Sequence, residues 1–341
     1  MSVAALRYYN AGLAVNTHAT YSSGQRSYLS YCEQVKSRPF PITEHKLCSW
    51  IADLATRIVP KTIRVYMYAL RSMCVDGGAT LSFKDMHQLA RVYHGIKKQH
   101  GVASTRPRLP ITLGVLQSMY NYLNMDDHDD IILWAAFTLA VSNMLRVSEF
   151  AITRSGQYPA PITHGDINLN KSSQYYELHI KRSKTDQYAE GRTVQVYATG
   201  AVTCPVHAMR RLITLCSNQR RVRPQSAVFV LRSGLPLSRH VVERRLKSLV
   251  TSIGLDPSQY NTHSLRRGGA TSYSLANVPD RMIQVIGGWT SDSYKLYIDT
   301  SMGQVREAAI SASRVSSWFG ALPMSLALAQ QRSVSEIGLF Q

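Results

Sequence analysis

The ten residues GVASTRPRLP, 101 to 110, constrain the fold of this chain most. Proline fixes its own φ and has no N–H to donate, so a glycine, a serine and two prolines in one short span end any helix and read as an interdomain linker. Before this break, four segments place apolar residues three and four apart: 17–37, 43–57, 60–78 and 82–101. Several open on Ser or Thr and close on Gly, the residues that satisfy helix ends. After the break the pattern is mixed. Residues 129–154 are helical with an interruption near Ser142 and Asn143. YYELHIKR (175–182) and TVQVY (193–197) alternate apolar and polar residues and pair as a hairpin around the loop SKTDQYAEGR. Helical patterns return at 205–216 and 238–254, then in DRMIQVIGG and SDSYKLYID. The expected class is mostly α (α+β). A helical domain covers 1–105 and a linker 106–111; a mainly helical domain with a small antiparallel β-sheet covers 112–316, followed by a tail, 317–341. A chain of 341 residues, 45% of them hydrophobic, can bury the cores this needs.

Charge narrows the partners. Lys and Arg number 39 against 21 Asp and Glu, a formal charge of +18. Residues 1 to 108 hold 15 basic and 5 acidic side chains, so more than half the excess sits in under a third of the chain. Such a surplus suits a polyanion, most commonly nucleic acid, although charge alone also fits a membrane surface. No apolar run reaches the roughly 18 residues of a membrane span. The start, MSVAALRYYNAGLAV, lacks the charged-then-apolar build of a secretory signal, which favours an intracellular location. Cys32, Cys48, Cys74, Cys204 and Cys216 are odd in number and scattered, as reduced thiols are. CPVH at 204–207 has ligand-like spacing but no second pair to complete four ligands. It reads as a helix start with Pro205 in the first turn, and no metal or cofactor is expected.

The chemistry concentrates in a few short stretches. NTHSLRRGGA, 261–270, begins a helix with Asn261 or Thr262 as cap, which puts His263 and Arg266 on one face three residues apart. Helical MLRVSEF brings Arg146 and Glu149, the hairpin loop brings Lys184, and GGWTSDSYKLYI brings Trp289 and Tyr297. In this order, with these gaps, the set resembles the tyrosine recombinases: phage integrases, Cre, Flp and the recombinases of eukaryotic mobile elements. The resemblance spans nearly the whole chain, because a basic helical domain ahead of such a catalytic domain is also the family's layout. It makes 1–105 a core-binding domain and 112–316 the catalytic domain.

Carried over residue by residue, the resemblance makes Arg146 the first arginine, supported one turn later by Glu149. Lys184 is the hairpin lysine, His263 and Arg266 the His-x-x-Arg pair, Trp289 the His-or-Trp position, and Tyr297, eight residues on, the nucleophile. Tyr294 and Arg267 are the rivals of Tyr297 and Arg266; the offset from Trp289 and the His-x-x-Arg spacing decide between them. A phosphodiester repels nucleophiles and its transition state gathers charge on the non-bridging oxygens, which two permanently charged, planar guanidiniums are suited to hold. A phenol ordinarily loses its proton only near pH ~10, so attack needs a proton acceptor, His263, and nearby cations. Lys184 delivers the proton the departing 5′ oxygen needs. Trp289 packs against the nucleophile's helix and offers its indole N–H to the phosphate. A 3′-phosphotyrosyl bond stores the energy, so neither ATP nor metal is required.

The implied function is a site-specific DNA recombinase or transposase, working as four protomers on two duplexes through a Holliday junction. A type IB topoisomerase and a catalytically inactive DNA-binding relic are the alternatives. SDSYKLYI with RSKTDQ leans toward the Crypton and DIRS type of eukaryotic element, which would place the protein in the nucleus. Double-stranded DNA is expected to meet Lys61, Arg64, Arg71, Lys97 and Lys98, linker Arg106 and Arg108, and Arg239, Arg244, Arg245 and Lys247. The apolar tail suggests that residues among Leu326, Leu328, Ile337, Leu339 and Phe340 dock on the next protomer.

Overall fold

The computed structural model describes residues 1–101, 108–154, 157, 160–169, 174–184, 186, 188–217, 223–297, 306 and 310. Linker Arg106 and the tail over 317–341 lie outside the described residues. The chain divides into two compact units, Met1–Pro107 and Arg108–Gln341.

The first unit is built of α1 (Val3–Ala11), α2 (Val15–Gln34), α3 (Glu44–Ala55), α4 (Pro60–Asp76) and α5 (His87–His100). Local chemistry starts two of them. The Thr43 hydroxyl accepts the Lys46 N–H at 3.3 Å to cap α3, and Pro60 occupies the first turn of α4, where its missing N–H costs nothing. The core gathers Leu47, Ile51, Leu54, Ile63, Leu70 and Leu89 around Trp50, which meets Tyr28 edge-on at 5.3 Å. The sequence pattern extends the fourth helix back to residue 82, whereas α5 begins at His87. Its first turn is satisfied from outside, by the Glu44 carboxylate accepting the Leu89 N–H at 3.0 Å, a partner no local spacing reveals. Helix α1 buries no residue and so leaves no apolar periodicity to read.

The second unit contains α6 (Leu113–Tyr120), α7 (His128–Ser142), α8 (Val147–Phe150), β1 (Ile167–Leu169), β2 (Tyr175–Ile180), β3 (Arg192–Tyr197), α9 (Pro205–Ser217), α10 (Arg239–Ser252), α11 (His263–Leu275) and α12 (Asp280–Gly287), followed by a 3-10 segment, Asp292–Tyr297. The unit is mostly helical with a small sheet, as expected. Helix α7, capped by the Asp127 carboxylate, is buried from Asp130 to Val141 and packs against α6, α9 and α11. The antiparallel sheet runs β1-β2-β3, with Tyr176 opposite Val196 and Leu178 opposite Val194. Tyr176, Leu178, Ile180 and Val196 face the core. Strand β1, at three residues, is too short to show alternation in the sequence. Pro205 opens α9, as CPVH suggested.

The glycine pair of HSLRRGG is a packing device. A Cβ on Gly268 would lie 1.7 Å from the Ile111 carbonyl oxygen, and one on Gly269 would lie 2.1 Å from that of Val141. Only glycine lets α11 approach the end of α7 this closely, and that approach sets where His263 and Arg266 stand. Gly268→Ala must displace backbone and is expected to cost about 3 kcal/mol. Gly95→Ala, on α5 with nothing within 4 Å, is expected to stabilise by about 0.5–1 kcal/mol. Denaturant unfolding of the two variants checks the contrast; equal effects would mean that α11 does not pack as described.

Candidate active site

The interruption predicted near Ser142 is where the site begins. Helix α7 stops, Met144 adopts φ +50°, and Arg146 leads into the single turn of α8. Glu149 folds back on it: one carboxylate oxygen accepts the Arg146 backbone N–H at 3.0 Å and the other its guanidinium at 2.9 Å. The Glu149 side chain is 1% exposed and that of Arg146 14%. A buried carboxylate must be paired, so Glu149 fixes the guanidinium while the arginine keeps one edge toward solvent.

Helix α11 supplies the next group. The Asn261 side chain accepts the His263 N–H at 2.9 Å, starting the helix. Arg266 is fully buried. Its terminal nitrogens donate to the carbonyl of Met144 and, at 3.1 Å, to that of Gly287. Its guanidinium lies 3.8 Å from the centre of the Trp289 ring and 5.6 Å from that of Tyr297. Both prongs of its fork therefore bond to protein, where the residue type alone suggests a free fork for a phosphate. The buried Nε–H has no acceptor among the described residues. Burial, then the nearby Arg146 cation, push the pKa of Arg266 down to about 9, still high enough to keep it charged at neutral pH.

Neighbouring α11 residues hold the tyrosine segment. Arg267 donates to the Leu296 carbonyl at 3.0 Å and the Thr271 hydroxyl to that of Tyr297 at 3.2 Å. Tyr297 is half-buried, its ring 5.5 Å from Trp289. Tyr294 is buried, and its hydroxyl donates to Asp280 at 3.0 Å. Burial and that hydrogen bond raise its pKa, which holds its hydroxyl in the protonated form. Trp289 is itself buried, as a core residue would be. A Cβ on Gly287 would fall 1.7 Å from its ring, and Gly288, at φ +61°, ends α12 in the left-handed conformation.

Lys184 is exposed on the loop between β2 and β3. His263 is exposed too, yet the protein around its ring and then Arg239, Arg266, Arg146 and Lys184 hold its pKa below the ordinary imidazole range. The imidazole is thus neutral, able to accept a proton, and within electrostatic reach of Lys184. All seven residues singled out by the motifs belong to this one region of the second unit.

The motifs assign no role to Thr271, Asp186 or Arg192, and Arg267, weighed in the sequence only as the rival of Arg266, has a different part. Arg267 and Thr271 hold the tyrosine segment, Asp186 organises the hairpin loop, and Arg192 adds a third guanidinium, within electrostatic reach of Glu149, Arg146 and Arg266. None stands at a telling spacing; only tertiary contacts identify them. Of the expected DNA contacts, Lys61, Arg64 and Arg71 lie exposed on α4, and Lys97 and Lys98 on α5. Arg64 donates to the Tyr68 hydroxyl at 3.4 Å, and the Lys97 ammonium sits 5.0 Å from the centre of the Tyr93 ring. Arg239 and Arg244 are exposed on α10. Three others are engaged within the protein: Arg108 with the Ser258 carbonyl, Arg245 with the buried Asp130 carboxylate, and Lys247 with Glu243 at 3.2 Å.

Residues 111–302 match the model of the phage integrase family. That is more than half of the chain, and the chain belongs to this family. It is 24% identical over 281 residues, 80% of its length and 77% of the relative's, to an integrase/recombinase XerD homolog of Selenomonas ruminantium. In fold it is similar to the XerH site-specific recombinase in a post-cleavage complex with palindromic difH substrate (TM-score 0.59, 15% identity, 85% of this chain and 78% of that one). It is also similar to the Tn1549 transposon integrase in complex with transposon right end DNA (0.57, 14%, 89% and 96%) and to a lambda integrase dimer bound to a COC′ core site (0.56, 15%, 84% and 90%).

Proposed function

We propose that this chain is a site-specific DNA recombinase that cuts and rejoins strands through a 3′-phosphotyrosyl intermediate, with residues 1–105 as the core-binding domain and 112–316 as the catalytic domain. One observation carries the reading: α11 grips the Tyr297 segment through Arg267 and Thr271 while placing Arg266 between Trp289 and the Arg146–Glu149 pair. The Tyr297 oxygen attacks the scissile phosphorus and its proton passes to His263. The P–O5′ bond breaks and Lys184 gives the departing oxygen its proton. Arg146, Arg266 and Trp289 answer the charge that gathers on the phosphoryl oxygens. Attack by the 5′ hydroxyl of another strand reverses these transfers and completes exchange, four protomers on two duplexes passing through a Holliday junction. Lys61, Arg64, Arg71, Lys97, Lys98, Arg239 and Arg244 serve the DNA backbone. The SDSYKLYI and RSKTDQ phrases support a eukaryotic Crypton or DIRS element, and hence a nuclear site of action.

The test is capture of the covalent complex on a nicked duplex made from the element's own ends, as a function of pH. Under sub-saturating conditions the rate reports groups of the free enzyme. The depressed pKa keeps His263 neutral to lower pH than an ordinary imidazole, so adduct formation should persist as pH falls through the usual histidine range and fail only below it. His263→Gln should remove that acid limb. Absence of an adduct at any pH overturns the reading, and relaxation of supercoiled plasmid without strand exchange replaces it with a topoisomerase.

A further inference from the structure

Arg192 is the first residue of β3, opposite Ile180, where the hairpin loop closes. It is half-buried. Its guanidinium donates to the Ile286 carbonyl at 3.3 Å, and a Cβ on Gly288 would lie 2.5 Å from its central carbon. Arg266 takes the adjacent carbonyl, that of Gly287. Two guanidiniums thus occupy neighbouring carbonyls at the C-terminus of α12, the end of a helix that favours cations. Between the loop and α12 opens a cleft of about 600 Å³, with Ser183, Asp186, Arg192, Gly288 and Trp289 in its lining. The Arg192 bond ties one wall to the other.

From Arg192 the constraint runs into the loop itself. The Asp186 carboxylate accepts the N–H of Gly191 at 2.9 Å and of Glu190 at 3.0 Å, and the Asp186 N–H goes to the Ser183 hydroxyl at 3.2 Å. Asp186 thus ties Ser183, beside Lys184, to Glu190 and Gly191, beside Arg192. Whatever holds Arg192 therefore bears on Lys184.

We infer that Arg192 is a positioning residue: by clasping the hairpin to the C-terminus of α12, it sets Lys184 relative to Arg266, Trp289 and Tyr297, so that the lysine can protonate the departing 5′ oxygen. This rests on the recombinase reading above and adds to it a residue that touches neither phosphate nor nucleophile. Burial lowers the pKa of Arg192, the nearby Glu149 carboxylate favours its charge and Arg146 opposes it.

The experiment compares two substrates in single-turnover cleavage. One has the ordinary bridging oxygen at the 5′ position; the other has sulfur there, and a thiolate departs without needing a proton. Arg192→Met keeps the length of the side chain but not its donors or charge. On the oxygen substrate it should be slower by about 10- to 100-fold, part of the acceleration a general acid supplies, and on sulfur it should return to near the parent's rate. Arg192→Lys, which retains a donor for Ile286, should fall between. Lys184→Ala run in parallel must be rescued by sulfur; failure there removes the acid role of Lys184 itself and the inference with it. Equal slowing of Arg192→Met on both substrates, or no slowing on oxygen, overturns the positioning role while leaving the recombinase reading intact.

Discussion

Tyr297→Phe is expected to bind and assemble on target DNA like the parent and to form no protein-linked DNA. The lost atom is the one that bonds to phosphorus, so the covalent step disappears rather than slowing. Affinity rests on many phosphate contacts spread over the basic faces and should barely change. The fold should also hold, because Tyr297 is fixed through its backbone carbonyl by Thr271 and through its ring against Trp289, and phenylalanine keeps both. Tyr294→Phe is expected to keep cleavage. Its hydroxyl is spent on Asp280, so losing it weakens a local contact and leaves the covalent step untouched. Denaturing electrophoresis of labelled suicide substrate distinguishes the two. An adduct that persists in Tyr297→Phe and vanishes in Tyr294→Phe would move the nucleophile by one turn.

The residues of the proposed site stand in short motifs, so the resemblance could single them out, and part of their local geometry follows from spacing alone. His263 and Arg266 are three apart on α11, so local periodicity puts them on one face, whereas Arg146 stands in extended backbone ahead of α8 and meets Glu149 across the helix cap. The break at Ser142 and Asn143 and the alternation across the hairpin were readable for the same reason: they are properties of a few adjacent residues. What escaped depends on distant partners. Arg192 looks like any loop-closing arginine until Gly288 and Ile286 arrive from nearly a hundred residues further on. The pairing of Arg245 with Asp130 is equally remote, and it engages one of the basic residues expected to meet DNA. The start of α5 and the strand β1 were missed likewise, one defined by Glu44 and the other by pairing with β2. Composition led to a polyanionic partner, but not to which basic residues are exposed and uncommitted within the fold.

Arg266→Lys is expected to lower the rate of adduct formation by about 10²- to 10³-fold at pH 8, the scale of losing one electrostatic contact to the transition state. Part of the loss is geometric. The guanidinium spans the carbonyls of Met144 and Gly287 and lies flat on Trp289, and an ammonium on a flexible stem can satisfy one carbonyl at best. The other part is charge. The burial and neighbouring cations that lower the pKa of the guanidinium also disfavour a buried ammonium, whose ordinary pKa is roughly two lower to begin with. The sign follows directly: the lysine is cationic below its pKa and loses charge as pH rises through it. Arg266→Lys should therefore recover activity as pH falls from 8, while the parent's arginine stays charged and the depressed pKa of His263 keeps its imidazole neutral to lower pH than usual. The profile of adduct formation against pH reads this out, with DNA affinity and unfolding temperature measured in parallel to register any loss of structure. A variant equally impaired at every pH would mean that the guanidinium acts through its two carbonyl bonds and its stacking alone, and that the buried charge at this position contributes nothing to cleavage.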